Sequence, residues 1–117
     1  MPVAGFGKEC RILDSNSYRR IQRGGKKRVV SHCLLFVHQG QGIDGCRIGI
    51  TASRKVGGAV VRNRVKRVIR EFFRARRSSF SGNWDFVVVV RNAAGRDDNR
   101  KLHQALEQVF EPYLNSC

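Results

Sequence analysis

The sequence predicts an α+β fold in which helices pack against a mixed β-sheet. The first observation is an amphipathic helix pattern within residues 53–77. The second is the run WDFVVVV, which is apolar on both faces, as is typical of a strand in the middle of a sheet. The third is the alternating segment CRIGIT ahead of the helix, because a strand, a crossover helix and a central strand make a βαβ unit. With 117 residues, the chain 1–117 is expected to be one domain.

The beginning of the chain predicts a tail followed by one short helix. Residues 1–13 contain two glycines and a proline and show no periodic pattern, so we expect a poorly ordered tail. A short helix follows, with Tyr18, Ile21 and Gln22 on its inner side, and the glycine pair at residues 24–25 ends it. So short a helix persists only when it is packed against the rest of the protein.

The segment VVSHCLLFVHQ, residues 29–39, predicts one strand because β-branched and aromatic residues surround an apolar run. Leu34 and Phe36 share one face of this strand, and the intervening apolar residues share the other. The glycines that follow, at residues 40–45, have the spacing G-x-G-x-x-G of a dinucleotide-binding loop. That motif must lead into a helix, whereas a strand pattern follows here, so we interpret the glycines as a hairpin turn.

The feature around which the sequence is organised is a helix with charge of one sign. Between Arg54 and Arg77 there are ten Lys or Arg residues and a single carboxylate, Glu71. At about 100° per residue, five apolar residues form one side of this helix: Val61, Val65, Val68, Ile69 and Phe72. The opposite side is polar or cationic: Arg62, Asn63, Lys66, Arg67, Arg70, Arg74 and Arg77. A solvated face normally mixes charges of both signs, so this one predicts a polyanion-binding surface.

The composition of the whole chain agrees with that prediction. A net charge of +14, from 23 basic and nine acidic residues, points to nucleic acid or to an anionic membrane. No apolar run approaches the roughly 18 residues of a membrane span. The N-terminal sequence also lacks the apolar core of a signal peptide. We therefore expect a cytoplasmic, nucleic-acid-binding protein without a membrane partner.

The last predicted element is a helix near the C-terminus. A loop, NAAGRDDN, precedes it, and Asp97 or Asp98 provides the N-cap. Pro112 is expected to kink or end it. Its buried side carries six residues: Leu102, Ala105, Leu106, Val109, Phe110 and Tyr113.

Residues that could form a catalytic centre are scarce. No pair of carboxylates has the spacing of a two-metal site, and the four cysteines lack the spacing of a zinc site, so we expect no catalytic residue and no bound metal. His32 and His38 are predicted to lie on one face of one strand, where a structural role is the simpler interpretation. Tyr18 and Phe36 are candidates for stacking with unpaired bases.

The run KVGGAVVRNRVKRVIREFFR, from Lys55 to Arg74, closely resembles the signature of the protein component of bacterial ribonuclease P. In that signature, K-x-G-x-A-V-x-R-N-R-x-K-R-x-x-R-E opens the main helix. The resemblance continues over most of the chain, including Arg47-Ile48-Gly49 before the signature and the segment from Asp85 to Arg91 after it. It implies a four-stranded mixed sheet flanked by three helices, similar to a domain of a small-subunit ribosomal protein, with a left-handed βαβ crossover. Topology rules alone predict the opposite hand.

The resemblance also implies a function and divides the candidate residues into two surfaces. It implies an RNA-binding subunit of a ribonucleoprotein that removes the 5′ leader of precursor tRNA, with hydrolysis by the RNA subunit and Mg²⁺. The RNA subunit and precursor tRNA are the expected partners, and no protein partner is predicted. Positions matching contacts to the catalytic RNA are Lys55, Arg62, Asn63, Arg64, Lys66, Arg67 and Arg70. Those matching or adjoining the leader cleft are Tyr18, Gln22, Leu34, Phe36 and His38.

One departure from the family and two other functions remain open at this point. The position of Gln22 is aromatic in many relatives, so a stacking contact is expected to be missing there. A ribosomal-type or RNA-chaperone protein would carry the same charge without any role in cleavage. An autonomous metal-dependent nuclease is the other alternative, although the sequence offers few residues for one.

Overall fold

Four strands pair in the order β1-β2-β4-β3 in the computed structural model, which describes residues 15–39, 46–80, 84–96 and 98–114. The strands are β1 (Lys26–Val29), β2 (Cys33–Gln39), β3 (Arg47–Thr51) and β4 (Trp84–Val90). The helices are α1 (Ser15–Gly24), α2 (Ala59–Arg76), α3 (Asn92–Arg96) and α4 (Asn99–Phe110). Short 3₁₀ turns, Arg77–Ser79 and Glu111–Tyr113, follow α2 and α4. The predicted N-terminal tail lies outside the described residues.

The sheet is mixed because β4 pairs antiparallel with β2 and parallel with β3. The chain leaves β3, crosses through α2 and returns as β4, which confirms the predicted βαβ unit. β4 is a central strand, and its residues are buried or half-buried throughout, as its apolar sequence predicts. The α+β class and the four-stranded sheet are therefore as expected.

The prediction of one strand over residues 29–39 is wrong. The chain turns at residues 30–32, where the Val30 amide donates to the Cys33 carbonyl at 3.0 Å, and β1 precedes this turn. The sequence hides β1 because three of its four residues are Lys or Arg, which are typical of an exposed edge strand but not of a core strand. His32 consequently lies in the turn, and not on the strand that carries His38.

The hairpin predicted between β2 and β3 is also wrong. Residues 40–45 lie outside the described residues, but β2 and β3 are not neighbours, since β4 lies between them. The loop predicted before the last helix contains α3. This helix packs tightly against the segment before α2, because a side chain at Gly95 would come within 1.9 Å of the Val56 carbonyl oxygen.

The main core lies between one face of the sheet and the helices α2 and α4. Four of the five residues predicted on the inner side of α2 are buried, and Val61 is half-buried. Phe73 is buried as well, beyond the predicted stripe, because it packs against Phe80 and Phe86. In α4, five of the six predicted residues are buried, and the sixth, Tyr113, is half-buried in the turn that contains Pro112.

The N-terminus of α4 is capped as the sequence predicts. The carboxylate of Asp98 accepts a hydrogen bond from the Lys101 amide at 3.0 Å. This hydrogen bond lowers the pKa of Asp98, because it stabilises the charged form.

The other face of the sheet is covered only in part, by α1. Ile21 of α1 and Val87 of β4 are fully buried against each other, and Phe36 and Val89 pack at the edge of this small cluster. We call this side of the sheet the open face.

Candidate nucleic-acid interface

The outer surface of α2 carries the cationic residues that the sequence predicts there. Asn63 and Arg67 are exposed, while Arg62, Lys66 and Arg70 are half-buried along one flank. Within residues 15–39, 46–80, 84–96 and 98–114, none of these five side chains forms a hydrogen bond or an ion pair. Their charges are therefore available to a partner. We call this surface the α2 face.

Two basic residues at the C-terminal end of α2 do have partners within the protein. Arg76 pairs with Glu107 of α4 at 3.4 Å and lies 4.1 Å from the centroid of the Phe72 ring. Nε of Arg77, just after the helix, donates to the Cys46 carbonyl at 3.2 Å. These contacts fix the C-terminal end of α2 to its neighbours.

Arg64 differs from the other candidate RNA-binding residues because it is tied to the protein itself. Its guanidinium donates to Oδ1 of Asn99 at 2.7 Å and to the Gly95 carbonyl at 3.5 Å. These bonds connect α2 to α3 and to the first turn of α4. The family resemblance, and not helical periodicity, placed Arg64 among the candidate contacts to the catalytic RNA. Its bonds could not be foreseen, because the residues that accept them are more than 30 positions away in sequence.

Arg62 has an unusual environment for a surface arginine. Its Nε is buried and makes no hydrogen bond within the described part of the chain. A buried donor without an acceptor is unfavourable, so binding of an acceptor such as a phosphate oxygen would relieve that cost. Lys55 lies in the turn before α2, and its side chain is exposed.

Rows of aligned residues cross the open face of the sheet. The strand register aligns His38 and Arg47 on either side of Asp85, which makes a polar row. The next row centres on Val87, with Phe36 beside it, and the one after that pairs Leu34 with Val89. Leu34, Phe36 and His38 therefore lie on one face, as the alternation of the strand predicts.

Asp85 is the centre of an ion cluster that joins α1 to the sheet. Its side chain is only 2% exposed, and Arg47 donates to its two oxygens at 3.0 and 2.8 Å. Arg20 of α1 donates to the same carboxylate at 3.0 Å. Burial alone would raise the pKa of Asp85, but the hydrogen bonds from Arg47 and Arg20 outweigh it, so the pKa lies below its usual range.

Arg20 also orients His38. Its guanidinium lies 3.0 Å from Nδ1 of His38, and since arginine has no acceptor, Nδ1 must accept this hydrogen bond. The ring proton is then on Nε2. The leader-cleft candidates Tyr18 and Gln22 belong to α1, but their side chains lie outside the described part of the structure.

Comparison with known proteins decides the family. A family model described as Ribonuclease P matches residues 6–114. The ribonuclease P protein component of Clostridium novyi is 41% identical over 105 residues, which cover 89% of this chain and 93% of that protein. This chain belongs to the ribonuclease P protein family.

Solved structures of the family share the fold of this chain. The ribonuclease P protein of Staphylococcus aureus superposes with a TM-score of 0.83 at 30% identity, covering 88% of this chain and 94% of that one. The ribonuclease P protein of Thermotoga maritima gives a TM-score of 0.77 at 26% identity, covering 87% and 96% of the two chains. The sheet and helices described above are thus those of a ribonuclease P protein.

Sequence reasoning missed the ion cluster of this ribonuclease P protein. One signal was present, since Asp85 is the only charged residue within the apolar strand WDFVVVV. A lone carboxylate at such a position requires a cationic partner, but periodicity does not show which of 23 basic residues supplies it.

Among the described residues, no three His, Cys, Asp or Glu side chains lie close enough together to hold a metal ion. In the same part of the chain, no helix is both long and apolar enough to span a membrane.

Cys33 and Cys46 are buried and form no disulfide. Burial raises the pKa of Cys33 to about 12, so that its thiol stays protonated.

Proposed function

We propose that this chain is the protein subunit of ribonuclease P, binding the catalytic RNA through the α2 face and the 5′ leader of precursor tRNA through the open face. The observation that carries the proposal is the α2 face itself. It presents four cations and one amide that have no partner in the described part of the chain. A surface of one sign is unfavourable in the free protein and becomes favourable against a polyanion.

The α2 face suits phosphate contacts more than reading of bases. Arginine guanidinium groups bind phosphate oxygens with two parallel hydrogen bonds, and the i, i+4 spacing of Arg62, Lys66 and Arg70 places three cations in a row along the helix. Such contacts position an RNA without reading its sequence. We assign Lys55, Asn63 and Arg67 to the same surface.

The open face suits a single strand. Phe36 and Leu34 are half-buried on it and offer apolar surface, and Lys27 lies opposite Phe36 on β1. Unpaired bases stack on aromatic side chains while basic residues hold the phosphates. His38 adds a polar group at one end of this surface, and we place Tyr18 and Gln22 beside it on α1.

In this proposal the protein supplies binding, and the RNA subunit supplies catalysis. The described residues contain no cluster suited to metal binding, so we assign Mg²⁺ mainly to the RNA subunit, where it would activate water and stabilise the leaving oxygen. The protein screens the repulsion between two polyanions and holds the leader. This raises substrate affinity and does not require a nucleophile from the protein.

A cleavage assay tests the proposal and separates it from its alternatives. Precursor tRNA and Mg²⁺ are incubated with the protein, with the cognate RNA subunit, and with both. We expect the two together to release the 5′ leader faster than the RNA alone, and the protein alone to release none. Cleavage by the protein alone would instead identify a nuclease, and no stimulation of the RNA would favour a ribosomal-type or RNA-chaperone protein.

Leader binding is tested separately by Phe36→Ala. Loss of a stacking platform is expected to weaken precursor tRNA binding by about 1–3 kcal/mol. Binding of mature tRNA, which lacks the leader, should not change. Equal losses for precursor and mature tRNA would contradict the assignment of the open face to the leader.

A further inference from the structure

Arg20 is a side chain of α1 that contacts two neighbouring strands of the sheet at once. Its guanidinium donates to Nδ1 of His38 on β2 and to Oδ2 of Asp85 on β4, each at 3.0 Å. We propose that Arg20 is a positioning residue for leader binding, because it holds α1 in one place over the sheet and so keeps the open face accessible. The proposal rests on the proposed function, since it concerns how the same surface holds the leader.

The contact between Arg20 and Asp85 has a rigid base within the sheet. Arg47 of β3 donates to both oxygens of Asp85, at 3.0 and 2.8 Å, and the side chain of Asp85 is only 2% exposed. The carboxylate is therefore neutralised and oriented without help from α1. Arg20 binds Oδ2 alone, and its side chain is 31% exposed. Loss of Arg20 would consequently release α1 without leaving a buried charge unpaired.

The apolar attachment of α1 leaves its orientation open. Among the described side chains of this helix, Ile21 is the one that is fully buried, and it packs against Val87. A helix of ten residues is marginal in isolation, and one apolar contact still allows it to rotate about that contact. The N–H groups of a guanidinium have fixed directions, so the two hydrogen bonds of Arg20 restrain this rotation.

The orientation of α1 decides how much of the open face is available to RNA. Phe36, the proposed stacking residue, packs at the edge of the cluster that Ile21 and Val87 form. Asp85 is two residues before Val87 on β4 and so lies on the same face, which places the Arg20 contact next to this cluster. A helix that shifted across the sheet would cover Phe36 or move away from it. A leader that binds beside a helix already in place also loses less conformational entropy.

Arg20→Met tests the proposal, with Arg23→Met as the matched control. Arg23 is exposed on the same helix and forms no hydrogen bond or ion pair with the described residues. Ribonucleoproteins assembled with each variant are titrated with precursor tRNA and with mature tRNA. We expect Arg20→Met to weaken precursor binding roughly 10-fold and to leave mature tRNA binding unchanged, with a much smaller effect of Arg23→Met. Equal losses in the two variants would show that the charge of α1 matters and not its position.

Salt dependence separates positioning from a direct contact with phosphate. The charge of Arg20 is already paired within the protein, so Arg20→Met should lower leader-dependent affinity by the same factor at every salt concentration. A residue that bound a phosphate would instead reduce the slope of log affinity against log salt by about 0.7–0.9. A reduced slope for Arg20→Met would overturn the proposal.

Amide hydrogen exchange measures the attachment of α1 directly. In the free protein, we expect α1 to lose protection in Arg20→Met and to keep it in Arg23→Met, with α2 and β4 protected as in the wild type. Binding of precursor tRNA should restore the protection, because the leader then orders the helix. Unchanged protection of α1 in Arg20→Met would overturn the proposal. Loss of protection in α2 and β4 as well would also overturn it, since Arg20 would then support the whole fold.

Arg20→Lys provides a partial rescue. Its ammonium group keeps the charge opposite Asp85 but lacks the fork that reaches His38 at the same time. We expect precursor affinity between those of the wild type and Arg20→Met. An affinity no better than that of Arg20→Met would contradict a role for the pair with Asp85.

The outcomes separate the two proposals. Where the wild type binds precursor tRNA more tightly than mature tRNA and Arg20→Met does not reduce that difference, the positioning proposal is wrong and the proposed function stands. Where the wild type shows no preference for the precursor, both proposals are wrong.

Discussion

Asp85 is the residue on which the attachment of α1 depends. Its buried carboxylate balances Arg47 from β3 and Arg20 from α1. Asp85→Asn leaves both guanidinium groups without their counter-charge, so we expect a loss of about 3–5 kcal/mol in the free energy of unfolding. Urea denaturation measures it. Asp98→Asn is the matched control, since asparagine caps a helix as well as aspartate, and similar losses in both variants would contradict a special role for Asp85.

The lowered pKa of Asp85 predicts how the free energy of unfolding changes with pH. The pKa of Asp85 is lower in the folded protein than in the unfolded chain. The ionised carboxylate therefore stabilises the folded state fully at pH values above its pKa in the unfolded chain, which is about 3.9. The contribution is lost as the pH falls through the folded-state pKa. We therefore expect the stability difference between wild type and Asp85→Asn to be constant near neutrality and to shrink in acid. Unfolding curves collected at a series of pH values measure it, and a difference that stays constant in acid would contradict the prediction.

Arg67 and Arg64 allow a comparison within one motif. Arg67 is exposed and forms no hydrogen bond or ion pair with the described residues, whereas Arg64 is bonded to Asn99 and Gly95. Arg67→Ala should weaken binding to the RNA subunit by about 1 kcal/mol or more, with the unfolding midpoint unchanged. Arg64→Ala should lower the unfolding midpoint as well. Filter binding and thermal unfolding measure the two effects, and a destabilised Arg67→Ala with normal RNA affinity would reverse these roles.

At the level of single residues, the sequence predicts charge better than contacts. The α2 face follows from helical periodicity and the absence of compensating carboxylates, both of which are local properties. The bonds of Arg64 and the pairing of Asp85 are not local, because each joins residues that are far apart in sequence and become neighbours only through the sheet and α3. Phe73 was missed for the same reason, since Phe80 and Phe86 reach it from outside the helix.

Among the elements, α1 is the helix that borders the open face, and two kinds of contact attach it to the sheet. Among its described side chains, Ile21 is the one that is fully buried, and the Arg20 ion pair adds the polar anchor. The end of the helix approaches β2 so closely that a side chain at Gly25 would come within 2.4 Å of the Val37 carbonyl oxygen. Backbone atoms cannot easily move away, so this position requires glycine.

Gly25→Ala is therefore expected to displace the end of α1, whereas Gly24→Ala is not. At Gly24 the added methyl group would meet only the His38 ring, at 3.4 Å, which is close to an ordinary contact. We expect Gly25→Ala to lose amide hydrogen-exchange protection in α1 and to lower the free energy of unfolding. Equal protection in the two variants would show that the close approach to β2 is not what holds the helix.

Some helices and strands could be predicted from local sequence patterns, and others could not, for a physical reason. The helices α1, α2 and α4 and the strand β4 follow from periodicity, caps and a long apolar run. β1 and α3 do not, because β1 is a short cationic edge strand and α3 has five residues with a glycine inside. Both are stabilised by neighbours, β1 by pairing with β2 and α3 by close packing against the segment before α2.

In the whole molecule, the sheet separates the two surfaces assigned to RNA. α2 packs on one face of the sheet, and α1 covers part of the other. Local pattern could not give this arrangement, because the order β1-β2-β4-β3 inserts the last strand between two that are adjacent in sequence. The resemblance to the ribonuclease P family supplied the four-stranded sheet that periodicity alone did not. With a net charge of +14, the protein carries enough positive charge to approach two polyanions from opposite sides.

The separation of the two surfaces makes a prediction about salt. Removing one phosphate contact should reduce the slope of log affinity against log salt by about 0.7–0.9, whereas removing a stacking contact should lower affinity without changing the slope. We therefore expect Arg67→Ala to flatten the salt dependence of binding to the RNA subunit. Phe36→Ala should shift leader-dependent binding of precursor tRNA to lower affinity at every salt concentration with the slope preserved. Titrations over a range of salt concentrations measure both slopes. A flattened slope for Phe36→Ala, or an unchanged slope for Arg67→Ala, would contradict the separation into a phosphate-binding helix and a base-stacking sheet.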